Sequence, residues 1–150
     1  MKCAASKPLK ELLDLASSSP LGDYRDMEIW LTTTTQFDDW RNGLGPTMRI
    51  RVDARVQRAH KAGHFGDHHG LKDADEISEM RIDAGPGYRL YYTRWEYRGH
   101  VLLMLLGGDK STQRRDIRMA KTILKEAKAK AEREIDRELE KREEEKHGQR

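Results

Sequence analysis

The sequence lacks the features that mark several large classes of protein. It contains one cysteine, Cys3, so neither a disulfide within the chain nor a cysteine-based zinc site can form. The longest apolar run, Val101 to Leu106, is far too short to cross a bilayer. The first thirty residues contain no continuous apolar stretch and no small-residue cleavage site, both of which a signal peptide has. These absences predict a cytoplasmic protein that does not associate with membranes.

Apolar residues are also in short supply. Hydrophobic residues make up 36% of the 150-residue chain and charged residues 37%, which indicates that part of the chain is solvated rather than packed. The first strand-like run starts at Met27, and the apolar periodicity of the last helix thins after Ala127. We therefore expect a loosely attached N-terminal extension over residues 1–26, a folded domain over 27–125 and a charged helical tail over 126–150.

The charged tail has two interpretations. Its apolar positions are reduced to Ala131, Ile135 and Leu139 among many charged residues. A solvated helix that frays is the usual meaning of such a run. A coiled coil or a partner-binding helix is the alternative, because the three apolar positions could form a seam.

Basic charge is concentrated in the middle of the sequence. Residues 27–125 hold seventeen basic and thirteen acidic residues, a net charge of +4, together with five of the six histidines. A basic segment favours a polyanionic partner such as RNA, or an acidic protein surface. The excess is small, and many domains that bind no polyanion are equally basic.

Hydrophobic periodicity predicts an α+β fold. Short β-branched and aromatic segments predict strands, whereas i, i+4 spacing of apolar residues predicts helices. The segment 101–107 is apolar over most of its length and should form a central strand covered on both faces. The expected order begins with a strand over 28–34 and a helical hairpin over 36–43 (capped by Thr35) and 46–62. Three strands follow over 77–83, 88–96 and 101–107, joined by turns at Gly85–Gly87 and Arg98-Gly99. A long helix from Ser111 or Thr112 ends the series.

Alternation along the strands places several polar side chains on one face of the sheet. Arg81 falls on the polar face of its strand, and antiparallel pairing brings it next to Arg89. Tyr91 shares that face, and Lys110 lies just past the end of the last strand. We therefore expect an open sheet face that carries these four side chains, with the His68-His69 pair in the loop that leads to it.

These side chains suit the cleavage of RNA. Attack by the 2′-hydroxyl on the adjacent phosphate builds negative charge on the phosphoryl oxygens, which guanidinium and ammonium groups stabilise. One group must also deprotonate the 2′-hydroxyl, and another must protonate the leaving 5′-oxygen. A histidine such as His69, or a lysine or tyrosine with a perturbed pKa, can serve in either role. Tyrosine and tryptophan rings offer further surfaces on which bases stack.

Structural explanations compete with the functional ones for the arginines. Arg81 and Arg89 could belong to a solvated sheet face on which they pair with neighbouring carboxylates. Arg51, Arg55 and Arg58 recur at i, i+4 and i+7 on the second helix. They could form a solvated helix face, or they could contact RNA phosphate or a protein partner.

The spacing of the histidines and glycines indicates neither a metal site nor a nucleotide site. His64, His68 and His69 have no fixed spacing to a fourth ligand, so we expect no metal. His68 is instead a candidate contact for RNA. The Gly85–Gly87 and Gly107-Gly108 segments lack the spacing of phosphate-binding loops and are predicted to be turns.

Three segments make the chain resemble a known family. They are Ser78–Ile82, Gly85-Pro86-Gly87-Tyr88-Arg89 and Gly107-Gly108-Asp109-Lys110-Ser111-Thr112-Gln113. Together and in this order they resemble the RelE/HigB toxins of the RelE/ParE superfamily, often called addiction module killer proteins. The stretches Phe37–Trp40, Gly66-Asp67 and Asp116–Ala120 fit the same pattern. The resemblance covers roughly residues 28–125, and the second and third segments together are quite specific.

The resemblance implies a RelE-like fold and a place in a toxin–antitoxin system. The implied fold is α+β, with an N-terminal strand, a helical hairpin, an antiparallel three-strand meander and a long C-terminal helix. The implied activity is a metal-independent endoribonuclease without a cofactor, which cuts mRNA in the ribosomal A site and so inhibits translation. A helix-turn-helix antitoxin is the implied partner, with which the toxin could form a heterotetramer.

The same resemblance assigns roles to three basic residues. In the wider superfamily, the arginine after the Gly-Tyr pair acts on the phosphate, which points to Arg89. A basic residue after the last strand has a similar role and points to Lys110. Arg81 matches a further basic position of the pattern.

The identity of the general base stays open, because the sequence departs from the family there. Related toxins often have a lysine after Gly-Asp, where this chain has His68-His69, and some have a tyrosine in the final helix near Asp116 of this chain. Candidates for the base are His69, Tyr91 and Glu79. Two alternative functions also remain: a ParE-like topoisomerase poison, and a catalytically degenerate toxin that acts as a binding module.

Overall fold

The computed structural model describes residues 29–72, 74–96 and 100–148. They form an α+β structure in which the expected strands and helices follow one another as predicted, with one additional strand. The expected extension over residues 1–26 and the expected Arg98-Gly99 turn lie outside the described residues. The elements are β1 (Ile29–Thr33), α1 (Thr35–Asn42), α2 (Pro46–Ala62), β2 (His68–Leu71), β3 (Ala74–Ile82), β4 (Tyr88–Glu96), β5 (His100–Asp109), a 3₁₀ turn (Lys110–Thr112) and α3 (Gln113–His147).

The strands form one mixed sheet of five strands in the order β1-β5-β4-β3-β2. β1 runs parallel to β5, and the other neighbours are antiparallel. β5 is apolar on both sides because helices cover both faces: Leu102 and Met104 pack on one side, and Leu103 and Leu105 on the other. The edge strand β2 (His68–Leu71) was not expected, since His68 and His69 were assigned to a loop.

The hairpin of α1 and α2 covers one face of the sheet, which we call the hairpin face. Val52, Val56 and Ala59 of α2 are buried there, at the apolar spacing that predicted a helix over residues 46–62. The hydroxyl of Thr34 caps α1 by accepting from the backbone N–H three residues later at 3.1 Å. The expected cap at Thr35 is therefore one residue too late.

The long helix α3 covers the opposite face, which we call the long-helix face. Ala120, Ile123 and Leu124 pack against the apolar side chains of β3, β4 and β5. The expectation of an open sheet face is therefore wrong, because the sheet carries apolar residues on both sides and needs cover on both. The tail expected over residues 126–150 is helical as far as His147 and continues the same helix. Despite its length, α3 is too polar to cross a membrane, as are the other described helices.

Candidate functional site

A polar cluster lies on the long-helix face, at the end of the sheet where α3 begins. Cross-strand pairing puts Glu79 of β3 opposite Tyr91 of β4, and Arg81 opposite Arg89. Arg89 is in turn opposite Gly108 of β5. Residues directly opposite each other share a face of the sheet. The expected juxtaposition of the two arginines is therefore confirmed.

Glu79 holds the two arginines together. Its side chain is only 2% exposed, and its Oε1 accepts from Arg81 Nε at 3.0 Å and from Arg89 Nη1 at 3.3 Å. Arg81 Nη2 lies 2.9 Å from the same oxygen. Gln113 Nε2, at the start of α3, donates to the other oxygen at 3.1 Å. These donors offset the cost of burying the carboxylate, so Glu79 fixes both guanidiniums relative to the sheet and to α3.

The two arginines differ in their access to solvent. The Arg81 side chain is 42% exposed, whereas that of Arg89 is 11% exposed. Nε of Arg89 is buried and has no hydrogen-bond acceptor among the described residues. Arg89 therefore keeps donor capacity beyond its bond to Glu79, while Arg81 is the guanidinium that solvent reaches more easily.

Two glycines let helices approach the end of β5 from both sides. A Cβ on Gly107 would overlap the indole ring of Trp40 on the hairpin face. A Cβ on Gly108 would overlap the carboxylate of Asp116 on the long-helix face. Consecutive strand residues point to opposite faces, so each helical layer needs its own glycine. The prediction that this pair forms a turn is wrong, because both glycines lie within β5.

Asp116 is a second buried carboxylate beside the cluster. It is 3% exposed, and its Oδ2 accepts from Thr112 Oγ1 at 2.5 Å. Arg115 Nε lies 3.7 Å from Oδ1. Sequence reasoning assigned Thr112 only a place at the start of the long helix, and it gave Asp116 and Gln113 no individual role. The i, i+4 spacing of Thr112 and Asp116 at the start of an expected helix is the signal that could have identified the pair.

Tyr91 lies beneath α3, which corrects the expectation that it is exposed. The residue is fully buried in the apolar cluster of the long-helix face, and its hydroxyl has no hydrogen-bond partner among the described residues. Burial raises the pKa of Tyr91, the carboxylates of Glu79 and Asp116 raise it further, and Arg89 and Arg81 partly oppose them. The phenol therefore stays protonated at neutral pH, and it lies between the sheet and α3.

His68 and His69 lie on the edge strand β2 and face opposite sides of the sheet. His69 is opposite Glu79 and so belongs to the long-helix face, whereas His68 is opposite Met80 on the hairpin face. His69 Nε2 lies 2.9 Å from Asp67 Oδ1, and the histidine side chain is 51% exposed. The structure therefore brings His69, and not His68, to the side of the two arginines.

Lys110 lies at the rim of the cluster. It is exposed in the 3₁₀ turn after β5. Its Cβ is 3.7 Å from the position that a Cβ on Gly87 would occupy, which places it beside the turn between β3 and β4. In the described part of the chain, no three His, Cys, Asp or Glu side chains gather in a way that could hold a metal ion.

The arginines of α2 do not join this cluster. Arg51 and Arg58 are exposed on the hairpin that covers the opposite face. Arg55 donates from Nη2 to the carbonyl of Phe65 at 2.9 Å, and its guanidinium lies 2.7 Å from the position of a Cβ on Gly66. Arg55 therefore holds the loop that leads into β2, a structural role that the helical stripe alone did not reveal.

Comparison with known proteins gives one close relative in sequence and one resemblance in structure. No family model matches the chain. An uncharacterized protein of Haemophilus influenzae is 40% identical over 101 residues, which is 67% of this chain and 97% of that protein. The structure is similar to that of the E. coli toxin RelE, solved as an arginine-to-alanine mutant in the free state. The TM-score is 0.48 and the sequence identity 16%, over 58% of this chain and 90% of that chain.

Proposed function

This chain belongs to the same family as the uncharacterized protein of Haemophilus influenzae, and we propose that it is a toxin of the RelE/HigB type. The proposed activity is ribosome-dependent, metal-independent cleavage of mRNA in the cytoplasm, which stops translation. The pair of guanidiniums that Glu79 holds side by side on β3 and β4 carries the proposal. Both arginines belong to the segments, Ser78–Ile82 and Gly85–Arg89, by which the chain resembles those toxins.

Arg81 and Arg89 are the proposed phosphate-binding groups. Negative charge develops on the phosphoryl oxygens as the 2′-hydroxyl attacks, and two adjacent guanidiniums stabilise that charge. Glu79 competes with the phosphate for the same N–H groups. Arg81 is the more exposed of the two and can turn toward the substrate, while Arg89 stays anchored. Lys110 contributes a further cation at the rim.

His69 is the proposed general base. It faces the same side as the two arginines, and Asp67 orients its ring at 2.9 Å. An imidazole nitrogen can accept the proton of the 2′-hydroxyl, and histidine is the side chain most often used in this role. Glu79 is a weaker candidate because it is buried and already accepts three hydrogen bonds. Tyr91 is a weaker candidate still, because it is fully buried.

Primer extension on a reporter mRNA in a purified translation system tests the proposal. The wild-type chain should cut the reporter when ribosomes are present and leave it intact when they are absent. Arg89→Ala should abolish the cuts without unfolding the protein. Arg118→Ala, which removes an exposed arginine elsewhere on α3, is the matched control and should cut like the wild type.

Other results would contradict the proposal in different ways. Cuts that persist fully in a folded Arg89→Ala protein would show that the site is elsewhere. Intact mRNA in every arm would reject the nuclease function, and a gyrase inhibition assay would then separate a ParE-like topoisomerase poison from a degenerate toxin that only binds.

The proposed partner is a helix-turn-helix antitoxin, in an assembly that could be a heterotetramer. Arg51 and Arg58 on α2, with Ile50 70% exposed beside them, offer a mixed basic and apolar surface away from the two site arginines. Such a surface suits an amphipathic acidic segment. Co-expression with the product of an adjacent reading frame should restore growth, and Ile50→Glu should weaken that complex.

A further inference from the structure

A concavity lies next to the edge strand β2, mostly on the hairpin face, and Lys128 of α3 lines it from the opposite side of the sheet. Its volume is about 540 Å³, within the range of small-molecule sites. None of the residues that line it belongs to the cluster around Glu79. Its lining includes His68, Gly70, Ser78, Tyr92, Arg94 and Lys128, and we call it the edge groove.

Small residues keep the edge groove open. Gly70 of β2 is opposite Ser78 of β3, which is opposite Tyr92 of β4, so two of the three side chains in this row of the sheet are small. A Cβ on Gly70 would meet no atom within 4 Å. Gly70 has no positive φ that would require glycine, in contrast to the left-handed Gly66 nearby. A larger side chain at position 70 would therefore extend into the groove without disturbing the fold.

A stacked guanidinium forms one wall of the edge groove. The Arg94 Cζ lies 3.9 Å from the centre of the Phe65 ring, and Phe65 stacks on Tyr92 at 5.0 Å with an interplanar angle of 19°. Stacking uses one face of the guanidinium and leaves its N–H edge and other face for a ligand. Arg94 is exposed and has no carboxylate partner among the described residues. Lys128, by contrast, is paired with Glu76.

A planar anionic ligand fits this wall best. The exposed His68 ring lies 5.7 Å from Phe65, so an imidazole and a guanidinium flank the same aromatic side chain. Nucleobases stack on arginine planes and on aromatic rings, while phosphates bind guanidinium N–H groups. An acidic peptide would use the charge of Arg94 but not the flat surfaces. The chemistry therefore favours a nucleotide over a carboxylate-bearing chain.

We propose that the edge groove binds one nucleotide of the single-stranded RNA that is cut. This inference rests on the proposed function and adds a substrate contact to it. Ser78 and Arg81 are three residues apart on β3 and point to opposite faces of the sheet. The RNA would pass around β2, which is short and lies at the sheet edge.

Binding of a fluorescein-labelled hexauridylate to the full chain, followed by fluorescence anisotropy, tests the inference apart from cleavage. Gly70→Leu should fill the groove, and Arg94→Gln should remove its free charge while it preserves most of the side-chain volume. Each should weaken binding by about tenfold, the size expected for loss of one stacked base. Arg94→Gln should also reduce the slope of log affinity against log salt by about 0.7. Arg133→Gln, on an exposed part of α3, has the same change in net charge and should bind like the wild type.

The outcomes separate this inference from the nuclease proposal. Weaker binding of hexauridylate to both Gly70→Leu and Arg94→Gln supports RNA binding in the edge groove. This holds even if the wild-type chain fails to cut the reporter mRNA. Unchanged hexauridylate binding by a folded Gly70→Leu protein overturns the proposal that the edge groove binds RNA, even if the reporter mRNA is cut. Loss of antitoxin binding in both variants with unchanged RNA binding also overturns it, because the groove would then be a protein contact.

Discussion

The close approach of Asp116 to Gly108 leads to a quantitative prediction for Gly108→Ala. A Cβ at this position would overlap Asp116 Oδ2 and would lie 2.8 Å from Cγ of the same residue and 3.2 Å from Thr112 Oγ1. The carboxylate cannot retreat cheaply, because it is buried beneath α3 and held by Thr112 at 2.5 Å. The added methyl group must therefore displace either the side chain of Asp116 or the first turns of α3.

The cost of Gly108→Ala has two parts. Forcing one extra carbon into a packed region costs about 1–3 kcal/mol. Breaking the charge-assisted hydrogen bond between Thr112 and a buried carboxylate costs about 1.5–3 kcal/mol more. We expect the free energy of unfolding to fall by about 3–5 kcal/mol, which at a urea m-value of about 2 kcal/mol per molar shifts the midpoint by roughly 2 M.

Urea unfolding followed by circular dichroism measures this loss, and Gly70→Ala is the matched control. Gly70 is also a strand glycine, but a Cβ there meets no atom within 4 Å. Its replacement by alanine should leave stability unchanged or raise it by about 0.5–1 kcal/mol, because glycine loses more backbone entropy on folding. The two substitutions therefore differ in sign although their chemistry is the same.

A double-mutant cycle identifies the cause of the loss. In an Asp116→Ala background the obstructing carboxylate is gone, so Gly108→Ala should cost at least 2 kcal/mol less, roughly the coupling expected of residues in contact. Equal costs of Gly108→Ala in the two backgrounds would refute the steric explanation. A Gly108→Ala protein as stable as Gly70→Ala would refute the packing of α3 against β5 at this point.

Three further predictions concern the buried and clamped side chains. Glu79→Gln should lower stability by about 1.5–3 kcal/mol and reduce mRNA cleavage, because Arg81 and Arg89 lose a shared carboxylate. Tyr91→Phe should keep both cleavage and stability, because the removed hydroxyl has no partner among the described residues. The pKa of Tyr91 is raised in the folded protein, so its neutral phenol contributes full stability below about pH 10, the ordinary tyrosine pKa. The free energy of unfolding should fall as the pH rises above that value, and urea unfolding at increasing pH measures the fall. Arg55→Met should lower stability by about 1 kcal/mol through loss of its bond to the loop before β2, measured by urea unfolding.

Specific results would contradict each of these three. A Glu79→Gln protein with full activity would mean that the carboxylate does not position the arginines. Loss of cleavage in a stable Tyr91→Phe protein would restore Tyr91 as a candidate catalytic group. Wild-type stability of Arg55→Met, with Arg58→Met as the control on the same helix, would show that the loop does not depend on the Arg55 clamp.

Local pattern was enough to predict most of the fold and the pairing of the two arginines. The apolar run from Val101 to Leu106 predicted a strand covered on both faces, and alternation predicted that Arg81 and Arg89 share a face. Both inferences depend on residues within a few positions of each other or across one short turn. Such features are encoded locally, so a single sequence is sufficient to reveal them.

Features that depend on packing between distant elements were missed. Tyr91 was placed on an open face because its strand gives no sign of which helix covers it, and α3 follows almost twenty residues later. β2 has a glycine and two polar histidines, a composition that indicates a loop, yet its pairing with β3 makes it a strand. The Gly107-Gly108 pair indicated a turn by composition, while the actual requirement comes from Trp40 and Asp116 in two other layers. In each case tertiary contacts overrode the local preference.

The charge balance of the cluster constrains how RNA can bind. The two negative charges of Glu79 and Asp116 cancel the two positive charges of Arg81 and Arg89, so the cluster by itself attracts a polyanion only weakly. Long-range attraction must then come from cations at the periphery, such as Lys110, which is exposed and has no described carboxylate partner. The two arginines would act mainly once Arg81 turns from Glu79 to the phosphate and the phosphate gains charge in the transition state. Lys110→Ala should therefore raise KM and flatten the salt dependence, whereas Arg89→Ala should lower kcat with little change in binding. The reverse pattern would mean that the arginines bind the ground state and that Glu79 does not restrain them.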